Sequence, residues 1–282
     1  MKLNIVPART GVQWARAGVR TFWRQPLAFT GLFFMFILVT MVAALVPVVG
    51  QVLSFVLWPA ATVGFMAATE HVEAGRFPLP TVLATGFRRG ARNTRALLLL
   101  GVLFAACMVL VMAVAFWLAD GGQLAQLAAE AQKPAPPDAA QNADAALLAS
   151  QADFAQAAQP ALTLAALLSL PVTLLFWHAP ALVHWHGVPP IKSLFFSAVA
   201  VLKNLRAFLL YGVAWLLIST AAGLALKLLA LIAGPPVIAR YILVPVILIL
   251  MAMMLTSQWF TFRDSFTADP PAPDNPPPVA EG

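Results

Sequence analysis

Histidine is the side chain here best suited to chemistry near neutral pH, and three of the four, His178, His184 and His186, sit close together in FWHAPALVHWHG. Neutral imidazole ligates transition metals and carries protons, so the cluster raises metal binding or proton transfer. The spacing works against a preformed set. On a continuous helix His178 and His184 are six apart, on opposed faces, and Pro180 interrupts the run between them. His184 and His186, two apart, diverge unless the chain is extended there. No carboxylate or cysteine lies beside them to complete a zinc-type set. With Trp177 and Trp185 alongside, the same residues suit an interfacial belt, where amphipathic rings settle at headgroup depth. The expectation is no metal and no cofactor, with His184 and His186 the only candidate ligands. His71 holds a comparable place after an earlier apolar run.

Two further polar side chains stand inside apolar runs. Lys227 is the only charge well within a run, and intramembrane ions are functional suspects. It lies near the end of its run, where the stem can snorkel to the interface. Gln258 lies near the end of the last run. Signatures of catalysis are lacking: no Gly-rich loop ends in Gly-Lys-Ser/Thr, and there is no His-Glu-x-x-His or Gly-x-Ser-x-Gly. The expected catalytic set is empty, and the chain is read as no enzyme.

The elements that would position these residues are membrane helices. Hydrophobic residues make up 61% of the chain and charged residues 10%, with a mean hydropathy of +0.85. That is too apolar for a soluble domain. A helix needs about 20 apolar residues to cross a bilayer, and lipid leaves the backbone no other solution. Six runs qualify: 27–47, 51–69, 97–118, 160–183, 207–232 and 237–262. The expected fold is an all-α integral membrane protein of six spans, residues 1–266 forming one transmembrane domain. The first run is too long for a signal-peptide core and lacks its small-residue cleavage pattern. The single cysteine, Cys107, excludes an internal disulfide.

Charge sets the expected orientation. Lys2, Arg9, Arg16, Arg20 and Arg24 precede the first run without an acid among them. Arg76, Arg88, Arg89, Arg92 and Arg95 separate the second and third runs; Lys192, Lys203 and Arg206 separate the fourth and fifth; Arg263 follows the sixth. The other side holds Lys133 and Arg240 against five acids. Positive residues mark the cytoplasmic side, so both termini are expected there. The formal charge of +6 is then topogenic and lipid-facing, and implies anionic headgroups rather than nucleic acid as partner.

A short device recurs. Arg24-Gln25-Pro26-Leu27-Ala28-Phe29 compares with Arg92-Asn93-Thr94-Arg95-Ala96-Leu97 and with Lys203-Asn204-Leu205-Arg206-Ala207-Phe208. Six residues upstream of each basic position stand Gly18, Gly86 and Ser197, all small. Residues 10–25 read as an interfacial amphipathic helix, with Val12, Ala15, Val19 and Phe22 on one face and Arg16, Arg20 and Arg24 on another. Runs two, four and six each hold an internal proline, Pro59, Pro171 and Pro245; the others hold none. Together these predict three repeated units, each an amphipathic helix, a straight span and a kinked span. Small residues at fourth positions, Ala60-Gly64-Ala68, Gly101-Ala105 and Ser219-Gly223, mark expected helix contacts. The Ala/Gln-rich stretch 120–159, broken by Pro134, Pro136 and Pro137, reads as an external loop, and the Pro-rich 267–282 as a disordered cytoplasmic tail.

The segments WARAGVRTFWRQPLAFTGLFFMF, EAGRFPLP and FWHAPALVHWHGVPPIKSLFFSAVAVLKNLRAF resemble an uncharacterised family of betaproteobacterial inner-membrane proteins. The basic-amide-x-x-Ala-Phe device is more distantly similar to YciC-like proteins and to the membrane domain that precedes some glycerophosphodiester phosphodiesterases. The resemblance implies a multi-helix inner-membrane architecture and supplies no catalytic residue. Two functions follow as expectations. The first is a non-enzymatic protein organising anionic lipid, or a membrane partner or second copy of itself, through its basic face: Arg16, Arg20, Arg24, Arg88, Arg89, Arg92, Arg95, Lys203 and Arg206. The second is a transporter whose cavity is lined by spans two, four and six.

Overall fold

The structure, a computed structural model, describes residues 2–46, 49–119, 143–233 and 236–267 with Gly122, Gln126 and Ala129; for 143–149, 233 and 236–241 it describes the backbone alone. Helix α1 (Thr10–Arg24) stops at Gln25 because Pro26 disfavours a helical residue before it and opens α2 (Pro26–Ala44) as its first residue. Then come α3 (Val49–Glu73), a 3-10 helix (Pro80–Phe87), α4 (Ala91–Ala119), α5 (Ala143–Phe176), α6 (Ala179–His186), α7 (Pro190–Lys203), α8 (Leu205–Ala233) and α9 (Pro236–Ser265). Strand β1 (Lys2–Leu3) pairs antiparallel with β2 (Phe266–Thr267), joining the two ends of the described chain. Six helical stretches are long and apolar enough to cross a membrane: Pro26–Ala44, Val49–Glu73, Ala91–Ala119, Ser150–His186, Leu205–Ile232 and Ile242–Ser265. Each overlaps one of the six runs read from the sequence. This is an all-α, multi-pass membrane fold.

The fourth span departs from expectation at its start, and is interrupted where Pro180 predicts. Its helix reaches back to Ala143, through residues assigned to the external loop. Ala, Leu and Gln there are strong helix formers, and they extend the span rather than forming a linker. The span is also broken, α5 ending at Phe176 and α6 starting at Ala179 with Pro180 in its first turn. The prolines at 134–137 and the tail from 268 onward lie outside the described residues. The chain before the third span differs as well. Pro78, Pro80 and Gly90 (φ +92°) bracket a 3-10 helix where the other two basic segments form α1 and α7.

Packing shows what the small residues do. α1 lies on α9 and α8, burying Trp14, Ala15, Gly18, Thr21 and Phe22. Val12, expected on that face, is 40% exposed, and Trp14 anchors the helix instead. Its ring sits 5.4 Å from Phe208, and its Nε1 donates to Asp264 Oδ2 at 2.9 Å. At Gly18 an added Cβ would lie 2.3 Å from Ser257 Cβ, so only glycine permits this approach. The 3-10 helix lies on α3 and touches α2; α7 lies on α5 and touches α4.

Ala60, Gly64 and Ala68 are buried, and a Cβ on Gly101 would strike the Val56 carbonyl. Ser219 and Gly223 make no such contact: Ser219 is exposed and Gly223 has nothing within 4 Å. Helix α8 runs along the rim of the bundle, only 6% of its apolar window being buried. Of the prolines within helices, Pro59 is buried, whereas Pro171 and Pro245 are exposed on the outer surface.

Candidate functional site

A cavity of about 690 Å³ opens between the start of α4, α6 and the turn into α7. Gly90, in the left-handed region, turns the chain from the 3-10 helix into α4 and leaves Arg89 at the threshold. The first turns of α4 then deliver Arg92, Asn93 and Arg95 to the same cavity. The opposite wall forms because α6 terminates at Gly187 (φ +62°). The Gly187 N–H donates to the Val183 carbonyl at 3.1 Å and the Val188 N–H to the Leu182 carbonyl at 3.3 Å. That left-handed cap reverses the chain, and Pro190 opens α7.

Hydrogen bonds lock the two walls together. The Arg89 guanidinium donates to the His184 carbonyl. Asn93 Nδ2 donates to the Gly86 carbonyl at 2.8 Å and lies 3.4 Å from His184 Nδ1. The lining holds Arg89, Arg92, Arg95, Asn93, His184 and His186 and no carboxylate. The N-terminus of α4, whose first turn carries no acid, adds a positive dipole end. Arginine forks suit phosphate and carboxylate groups. The pocket can hold an anion; it offers no carboxylate to serve as a base and no hydroxyl or thiol nucleophile.

No family model matches the chain, and no solved structure matches it. A probable inner membrane protein of Burkholderia thailandensis is 37% identical over 279 residues, covering 98% of each chain. This chain belongs to that family of inner membrane proteins. With its six spans, it is a multi-pass inner membrane protein.

In this inner membrane protein the histidines do not gather at one point. His184 is buried beside Asn93, its ring 4.8 Å from that of Trp185. His186 borders the same cavity with its ring 5.8 Å from Phe262. His178 lies at the break between α5 and α6, fully buried among Phe208, Phe262 and Phe266, and outside the cavity. Its backbone N–H donates to Ser197 Oγ at 3.0 Å, while neither ring nitrogen has a partner among the described residues. His71 is half-buried near the end of α3, apart from the other three. Among the described residues no three of His, Cys, Asp and Glu stand close enough to hold a metal.

The basic residues divide. Arg89, Arg92 and Arg95 line the cavity; Arg88 is exposed beside it. Arg16 and Arg20 are exposed on α1, and Lys203 and Arg206 at the α7–α8 junction. Arg24 is also exposed but paired, its guanidinium 2.8 Å from Glu73 Oε1, which accepts a second bond from Thr21 Oγ1 at 2.8 Å. Lys227 is exposed on α8, in the last two turns of that helix. Gln258 is buried on α9, facing a small internal chamber.

Sequence reasoning missed the tying role of the amides. Asn204 accepts from the Val6 N–H at 2.8 Å and donates to the Asn4 carbonyl at 3.0 Å, as Asn93 does to Gly86. The signal was present, since the position is an amide in each copy of the device. Reading it required knowing which distant backbone lay within reach.

Proposed function

We propose that this inner membrane protein catalyses no reaction and binds anionic phospholipid headgroups at its basic end. The observation that carries this is the cavity of about 690 Å³ lined by Arg89, Arg92 and Arg95 with Asn93 and no acid. Each Lys or Arg near an anionic membrane surface contributes about 1 kcal/mol, and a bordered pocket adds directed, charge-assisted bonds to that diffuse attraction. On the positive-inside rule the basic end is cytoplasmic and both termini lie there. Arg16, Arg20, Lys203 and Arg206, exposed on neighbouring elements, extend the same face.

The architecture behind this face reads as three units arranged in a ring. α1 rests on α9 and α8, the 3-10 helix on α3 and α2, and α7 on α5 and α4. Each basic element thus sits on the two spans of the preceding unit, the first on those of the third. The small residues lie at these seams: Gly18 against Ser257, Gly86 beside Ala60, and Ser197 donating to the Leu174 carbonyl at 3.3 Å.

The test uses purified protein equilibrated in micelles with equal phosphatidylglycerol and phosphatidylcholine, counting lipids retained per chain. Phosphatidylglycerol is expected in excess, with the excess falling as salt rises. Replacing Arg89, Arg92 and Arg95 by Gln together is expected to remove most of it. Equal retention of the two lipids by the unaltered protein would overturn the reading.

A further inference from the structure

Away from the basic cavity, the break in the fourth span faces a different pair of spaces. A chamber of about 20 Å³ lies between Pro59 and Thr62 of α3, Thr173 and Phe176 of α5, Pro180 of α6 and Gln258 of α9. A larger cavity of about 530 Å³ lies toward the end of the bundle remote from α1, bounded by α2, α3, α4 and α5. Trp58, Phe104 and Thr173 line both, so the two spaces adjoin.

Helix interruptions meet here. The fourth span loses its helical ladder between Phe176 and Ala179. In α3, Pro59 has no N–H to offer the Phe55 carbonyl one turn before it. Interrupted backbone at membrane depth is tolerated where protein buries it or a cavity meets it, and discontinuous spans mark binding sites in membrane transport folds. Gln258 supplies an independent sign. It is only 5% exposed, it lines the chamber, and its Oε1 accepts no hydrogen bond among the described residues. An unmet buried acceptor costs about 1–3 kcal/mol.

The lining defines the ligand class. Neither space has a Lys, Arg, His, Asp or Glu in its wall, so a charged group would be buried without a counter-charge. The one buried polar atom in these walls left without a partner among the described residues is an acceptor, Gln258 Oε1, while the hydroxyls of Thr40, Ser54 and Ser169 already donate to backbone carbonyls. Thr62 Oγ1 has also committed its proton, to the Pro59 carbonyl at 2.8 Å. Trp177 Nε1 is likewise committed, to Thr261 Oγ1 at 3.0 Å. The larger cavity falls within the volume range of small-molecule sites, about 300–1,000 Å³, and its walls include Phe36, Met41, Phe55 and Met108. The chamber has room for about one water-sized group. We propose that these two spaces form one site for an uncharged amphiphile, its apolar body in the larger cavity and a single hydroxyl or N–H donor reaching Gln258.

The probe is 1-naphthol, compared with 1-methoxynaphthalene, which has the same body and no donor. In full-length protein in nanodiscs, Cys107, the single cysteine, is changed to Ser, and Ser54→Cys places a thiol on the wall of the larger cavity. Modification of that thiol by N-ethylmaleimide is then timed. 1-Naphthol is expected to slow it saturably, at a concentration at least about fivefold lower than 1-methoxynaphthalene requires. Gln258→Met, close in volume, is expected to erase the difference; should that variant not fold, Thr62→Val is expected to reduce it. Failure of the thiol to react, absence of protection, equal protection by both compounds, or a preference untouched by the substitution made would each overturn the proposal. None of these readouts involves anionic lipid, so this site and the headgroup reading stand or fall separately.

Discussion

Gly18→Ala tests the seam between α1 and the bundle. The added Cβ would lie 2.3 Å from Ser257 Cβ and 2.7 Å from Ser257 Cα, where carbon atoms rest at about 3.5–4.0 Å. The obstacle includes backbone, so relief requires α1 to retreat by about 1 Å, which alone forfeits about a quarter to a half of each contact's attraction along the seam. The residues affected are Trp14, Ala15 and Phe22, each 1% exposed, together with the Trp14–Asp264 bond. Overpacking of this kind costs about 1–3 kcal/mol, equivalent to about 2–10 °C in a chain of this size. Gly31→Ala is the control, because nothing lies within 4 Å of its Cβ position on α2. The assay is loss of the monodisperse peak after heating in detergent, followed by size exclusion. If Gly18→Ala and Gly31→Ala melt within about 1 °C of each other, the seam does not bear on stability as argued.

Asn204→Ala leaves the Val6 N–H and the Asn4 carbonyl without their side-chain partner, and is expected to cost about 1–3 kcal/mol; faster protease cleavage within residues 2–9 of folded protein checks it. Glu73→Gln removes the charge facing Arg24 but keeps an acceptor for Thr21, so the loss should be at most about 1 kcal/mol. That loss should disappear in melting curves at high salt. His178→Leu exchanges two unpartnered ring nitrogens and edge contacts with Phe208 and Phe266 for an apolar side chain. Relief of about 1–3 kcal/mol then offsets lost ring contacts of about 0.5–1.5 kcal/mol each. Stability is expected to stay level or rise, and a marked fall in melting temperature would show that the imidazole has a polar task.

The six spans were legible because a run of about 20 apolar residues is a local signal. Which way each span faces was not. α2, α4 and α9 are apolar all round, so periodicity carries no face information, and Pro171 and Pro245 could not be told from Pro59. The break at Trp177–His178 was readable from Pro180, and the turn at Gly187 from its glycine and the two prolines that follow. The basic cavity was only half readable. Arg89, Arg92 and Arg95 declared their type, but their neighbours His184 and Gly187 lie about 90 residues further along the chain, and nothing local says they meet. Gln258 stood out as a polar residue within a span; its chamber depended on five helices converging.

The face that α1 buries changes what its arginines can do. An interfacial helix holds itself to the membrane by sinking its apolar side into the acyl boundary. Here that side, Trp14 with Ala15 and Phe22, is part of the protein core, and the tether from Asn204 to Val6 and the β1–β2 pair hold the segment to the bundle as well. Attachment of α1 to lipid can therefore draw on few apolar side chains, chiefly the exposed Val12 and Trp23. Beside them stands the charge of Arg16 and Arg20, both exposed, with Arg24 partly neutralised by Glu73. An interaction of that kind is screened over about 8–10 Å at ordinary ionic strength. α1 should thus behave as a rigid, salt-sensitive part of the basic face, fixed in position mainly by its packing on α8 and α9.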